Sequence, residues 1–143
     1  MPWLIDGSNV LGALRADLKA VEPKRELARV AASFARLRKT KVTCYFDGPE
    51  PPSFARHLGA ATIVFSGTRS ADELIVERVR SGASGYVVTS DRELGARVGG
   101  RRVKVIDAAQ FVRELQELER DPDASPAEDW NAYFSDPKNR QKF

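Results

Sequence analysis

The sequence predicts an α/β fold on a parallel sheet of about five strands, and three observations carry that prediction. Five short apolar runs rich in β-branched and aromatic residues read as buried strands: WLI at 3–5, VTCYF at 42–46, ATIVF at 61–65, YVVT at 86–89 and VKVI at 103–106. Helical patterns alternate with them, which favours parallel pairing through right-handed crossovers. Each of the first four runs leads into a turn that carries an aspartate, and in a parallel sheet such turns open on one rim.

Taken in order, the first strand meets Asp6, Gly7, Ser8 and Asn9, residue types that turns and helix caps select. Before the second strand, Leu27, Val30, Ala31, Phe34 and Leu37 form one helical stripe, with Arg29, Arg36, Arg38 and Lys39 largely off it. The stretch DGPEPPSFARHLGA, 47–60, holds three prolines and reads as an ordered loop beside the rim. Ser70 to Ser81 places Ala71, Leu74, Ile75 and Val79 on one helix face, and Asp107 to Arg120 does the same with Phe111, Leu115 and Leu118. Residues 1–120 make one domain without internal repeats. In the polar tail 121–143, Ser125, Pro126 and Glu128 could open a short helix, with Trp130, Tyr133 and Phe134 on the face that docks onto the domain.

A chain of 143 residues, 42% hydrophobic and 30% charged, describes an ordinary globule with a sizeable core. The net charge of +3 is compatible with a nucleic-acid partner without identifying one. The single cysteine, Cys44, lies in a strand, which excludes an internal disulfide and a cysteine metal site. The first strand begins almost at Met1 and no run approaches membrane-spanning length, so a cytoplasmic location and no membrane partner are expected.

Asp6 follows the first strand, Asp47 the second, Asp72 lies in the SGTRSADE turn after the third, and Asp91 in TSDRE after the fourth. Four carboxylates on one rim repel one another unless a cation neutralises them. Oxygen ligands that leave places for water and phosphate suit Mg²⁺ or Mn²⁺. Singly, Asp72 and Asp91 could be first-turn acids that complement a helix dipole. Ser70 with Glu73, and Ser90 with Glu93, already fit capping boxes, so each aspartate is a surplus acid; Glu77 is a secondary candidate.

The blocks IDGSNVLG, YFDG, VFSGTRSADELIVERV and VVTSDRELG resemble, in that order, the NYN domain of the YacP-like group within the PIN-like ribonuclease superfamily, over about residues 3–115. The resemblance implies a three-layer α/β/α sandwich and a metal-dependent endoribonuclease. It places Asp6 and Asn9 in the first block, Asp47 after the second strand, Asp72 in the A-D block and Asp91 in the T-S-D block, as the catalytic set. Of these, Asp6, Asp72 and Asp91 are the expected metal ligands. YacP-like proteins usually show tyrosine where this chain has Ser8, so an aromatic contact of its relatives is absent. Ribosome association is an expectation by family analogy alone.

Metal-assisted hydrolysis needs no histidine, and the lone His57 reads as a surface residue. Asn9, Thr89 and Ser90 could orient ligands or water. Arg69 and Arg92, flanking Asp72 and Asp91, could hold phosphate oxygens. The cationic stretches RLRKTK, 36–41, and GGRRVK, 99–104, with Arg101 and Arg102, are expected to flank the rim and bind RNA backbone, whether mRNA, rRNA or tRNA. Two rivals stand beside this reading. One is a PIN-like RNA-binding module without catalysis; the other is an aspartate phosphoacceptor domain, which needs a lysine at a later strand end, whereas Lys104 lies inside its strand.

Overall fold

The computed structural model describes residues 1–100, 102–119 and 130–139. Strands β1 (Trp3–Asp6), β2 (Val42–Phe46), β3 (His57–Leu58), β4 (Ala61–Phe65), β5 (Gly85–Val88) and β6 (Val103–Ile106) form one sheet in the order β3-β4-β2-β1-β5-β6. All pairs are parallel except β3 with β4. The sixth strand corrects the expected count: it lies in the proline-rich loop, where His57 and Leu58 pair with Thr62 and Ala61. Two residues are too few to show alternation in a sequence.

Helices α1 (Gly7–Ala13), α2 (Val21–Arg38) and α5 (Ala108–Glu119) cover one face of the sheet, and α3 (Ala71–Arg80) and α4 (Arg92–Val98) cover the other, a three-layer α/β/α arrangement. The first layer encloses the larger core, where Trp3, Phe34 and Phe111 meet edge-on or tilted with ring centroids 4.9 to 5.8 Å apart. Such rings combine large apolar burial with favourable quadrupole geometry. Leu27, Val30, Ala31 and Phe34 are buried as their stripe predicts, while Leu37 is half-buried near the end of α2. The smaller core joins Leu4, Tyr45 and Val87 to Ile75, Val76, Leu94 and Val98.

A last helix, α6 (Trp130–Ser135), packs against α2 and sinks Phe134 into the larger core with 3% of its surface exposed. The tail therefore docks on its own domain; the proposed cap at Ser125 lies outside the described residues. Among those residues no helix is long and apolar enough to cross a membrane.

Two glycines fix where β1 and β5 can lie. A Cβ on Gly7 would stand 2.8 Å from the Tyr45 carbonyl and closer still to the Phe46 ring. At Gly85, φ is +125° and a Cβ would meet the Pro2 carbonyl oxygen at 2.0 Å. Only glycine permits these approaches.

Candidate active site at an acidic rim

Asp6 ends β1 and at once caps α1: its Oδ1 accepts the Asn9 backbone N–H at 3.2 Å, and its Oδ2 accepts the Asn9 side-chain amide at 2.8 Å. The expected turn is thus a helix, and the acid is its N-cap. The other end of that amide, Asn9 Oδ1, accepts the Ser90 N–H at 2.9 Å. Asn9 therefore ties the exits of β1 and β5 together, with its amide orientation set at both ends. From below, the buried Thr89 hydroxyl reaches Asp6 Oδ2 at 3.5 Å and accepts the Asp91 N–H at 3.1 Å.

Asp91 caps α4, accepting from the Glu93 and Leu94 N–H groups at 2.9 and 3.2 Å. This corrects the capping box expected at Ser90: the aspartate is the cap, and Ser90 Oγ instead accepts the Ala108 N–H at 3.3 Å. A box shifted by one residue has nearly the same sequence signature. At α3 the cap is Ser70, as expected, but Glu73 turns outward to Arg69.

Asp47, at the exit of β2, accepts the Ala71 N–H at 2.8 Å and so anchors the first turn of α3, which carries Asp72. Two serines support it. Ser8 Oγ accepts the Asp47 N–H at 3.4 Å, and Ser66 Oγ accepts from Gly48 N at 3.0 Å while donating to the Arg69 carbonyl at 2.8 Å. Ser66 was not read from the sequence, although a serine directly after a strand is a turn signal.

Asp72 completes the rim, its carboxyl close enough to those of Asp6 and Asp91 to interact with both. Burial pushes the Asp6 carboxyl from its ordinary 3.8 up to about 7, the Asn9 N–H opposing and the charges of Asp72 and Asp47 adding to the rise. Asp72 is raised too, by partial burial and then by the Asp91 charge. Among the described residues no Lys or Arg forms an ion pair with Asp6, Asp47, Asp72 or Asp91.

The remaining candidates divide. Arg92 is exposed at the start of α4, beside Asp91. Arg69 is held by both oxygens of Glu77 and by Glu73 at 3.2 Å, so its fork is already occupied. Arg101 lies outside the described residues. Arg102 and the stretch 36–41 stand at the amino ends of the strands, opposite the acids, which corrects the expected flanking of the rim. In a parallel sheet, residues that precede a strand lie at the far edge from those that follow one. Lys104 is likewise the second residue of β6, away from the rim, so the lysine a phosphoacceptor site needs is absent there.

Among the described residues, no group of three or more His, Cys, Asp and Glu side chains is arranged to hold a metal ion. The donor set still suits Mg²⁺, which keeps several waters and commonly takes only one or two carboxylates from the protein. Asp6 with Asp72, and Asp72 with Asp91, are such pairs.

A six-stranded, mostly parallel sheet between helical layers, with aspartates gathered at its carboxyl rim, is the design of a nuclease-type α/β domain. The model of the YacP-like NYN domain matches residues 3–141, and the chain belongs to that family, whose domains are generally ribonucleases. Two similar solved structures are crystal structures of Rae1 (YacP) from Bacillus subtilis. One is 23% identical with a TM-score of 0.69, covering 84% of this chain and 76% of that one. The other, a W164L mutant, is 24% identical with a TM-score of 0.67, covering 83% and 77%. At that identity the likeness is one of fold. No curated protein sequence matches the chain.

Proposed function

We propose that this protein is a metal-dependent endoribonuclease that hydrolyses RNA phosphodiester bonds at the acidic rim. One observation supports this above others: Asp6 is 1% exposed, faces further carboxylates and has no cationic side chain as partner among the described residues. A buried cluster of like charges is costly unless a cation from outside joins it. Of the expected ligands Asp6, Asp72 and Asp91, the pair Asp6 with Asp72 or the pair Asp72 with Asp91 would hold Mg²⁺ or Mn²⁺, which when bound supplies a Lewis acid that activates water and neutralises phosphate charge.

The chain's own groups do the rest. Asn9 fixes the rotamer of Asp6 and the position of Ser90; Asp47 holds the turn that presents Asp72. Arg92 is free to meet a phosphate oxygen. Hydrolysis forms one P–O bond to water and breaks one to the leaving ribose oxygen, which takes up a proton. The cytoplasm is the expected compartment, with mRNA, rRNA or tRNA as the source of substrate.

Incubating the protein with RNA and DNA in Mg²⁺, Mn²⁺ or EDTA tests the reading. Cleavage of RNA that requires the ion is expected. Equal cleavage in EDTA would remove the metal from the scheme, and RNA binding without cleavage under every condition would favour a non-catalytic module.

A further inference from the structure

The edge of the sheet opposite the acids is cationic, and its charges come from several segments. The carbonyl of Lys41 accepts from Trp3 N, that of Pro2 from Tyr86 N, and that of Arg102 from Gly85 N, which places these residues beneath the starts of β2, β1 and β6. Helices α3 and α4 run back to the same edge and finish in Arg78 and Arg80, and in Arg97. Arg78, Arg80, Arg97 and Arg102 are all exposed, and no Asp or Glu occurs in residues 78–90 or 94–106.

Among the described residues none of these four arginines forms an ion pair. Elsewhere on the surface arginines are matched: Arg56 with Glu50, Arg69 with Glu73 and Glu77, Arg29 with Glu26. A surface charged only for solubility intersperses the two signs. Helix dipoles favour a cation at the ends of α3 and α4, each to a modest degree. They account neither for Arg102, which lies in a loop, nor for the missing acids.

We propose that the α3/α4 side of this edge, with Arg78, Arg80, Arg97 and Arg102, binds the phosphate backbone of RNA at a distance from the bond being cut. The inference rests on the reading of RNA as substrate. Trp3 is buried and stacks on Tyr86, so among the described residues no exposed ring offers itself there for base stacking, and the contact is ionic and indifferent to sequence. The four residues of β5 separate the two edges by about 13 Å at roughly 3.3 Å per residue. An RNA that fills only the rim does not reach the arginines, and a longer one does.

The test is binding, measured in EDTA so that nothing is cut, of RNAs about 4 and about 16 nucleotides long, the range of site sizes of single-strand-binding folds. Parent and the Arg80→Gln/Arg97→Gln variant are compared across salt concentrations, with thermal melting to show that both are folded. For the long RNA the slope of log affinity against log salt should become shallower by about 0.7 per arginine removed. For the short RNA it should match the parent. An unchanged slope on the long RNA, or an equal loss on both lengths, would overturn the proposal. A parent that binds these RNAs yet cuts none with any ion would instead sink the nuclease reading and leave this slope measurement standing.

Discussion

The two ends of the sheet carry opposite charge and are built in opposite ways. At the carboxyl rim the acids are fixed: Asp6 and Asp91 each accept backbone N–H groups as helix caps, and Asp47 anchors a third helix. At the amino edge Arg78, Arg80, Arg97 and Arg102 are long, exposed and, among the described residues, without an ion pair. The difference teaches which end suits chemistry and which suits capture. Catalysis needs carboxylates held to a fraction of an ångström, whereas backbone binding tolerates mobile charges.

The comparison breaks most visibly at Asp72, whose carboxyl lies between those of Asp6 and Asp91 without itself capping a helix. Asp72→Asn should reduce ion-dependent RNA cleavage by more than about 100-fold, since outer-shell partners of a metal site alone are worth about 10–100-fold. Its affinity for long RNA should stay at the parent's level. Rates and binding curves on the same preparation check both halves.

Asp6 sharpens the contrast through pH. Its folded value of about 7 lies above the ordinary 3.8, so the folded state holds this proton more tightly than the unfolded chain does. Stability from this group is therefore fully present below about pH 4 and is lost as pH rises through about 7. Without divalent ions, melting temperature should fall across that window, and Mn²⁺ should restore more of it at pH 8 than at pH 5. Asp6→Asn aims an NH₂ at the Asn9 NH₂, which cannot turn away without losing Ser90. The variant should thus be less stable than the parent at pH 5. At pH 8, with the buried charge gone, it should be the more stable of the two, as melting curves at both pH values would show.

Asp47 provides the next test, because its described contact needs an acceptor and not a charge. Asp47→Asn should keep the bond to Ala71 N, while Asp47→Ala should lose about 1 kcal/mol, the usual worth of a helix cap. Hydrogen exchange in the first turn of α3 separates the two: fast exchange in the alanine variant alone is the expected result. Smallest of all, Glu77→Gln should leave the denaturation midpoint close to the parent's, since the Arg69 fork is an exposed pair. Chemical denaturation would register a larger loss if that pair were structural.

Much of this was legible in the sequence, for identifiable reasons. The five principal strands announced themselves as β-branched runs, and every aspartate after a strand came to the same rim because parallel strands must end together. Cap assignments were less legible: Ser90, Asp91 and Glu93 satisfy two overlapping patterns, and only backbone geometry shows which oxygen faces the helix. The roles of Asn9 and Ser66 depend on partners 81 and 18 residues away, which no local pattern encodes. The position of Arg102 could have been read, since it precedes a strand. Charge density drew attention to it, while its place before β6 decided where it went.

Phe134 adds a consequence in the order of synthesis. Every acid of the rim has been made by residue 91, and the strands are complete by residue 106, yet the larger core waits for an aromatic ring from α6. Domains fold as units during synthesis. A nascent chain paused before α6 would carry all four carboxylates and an open seam over α2, which Phe134 then covers.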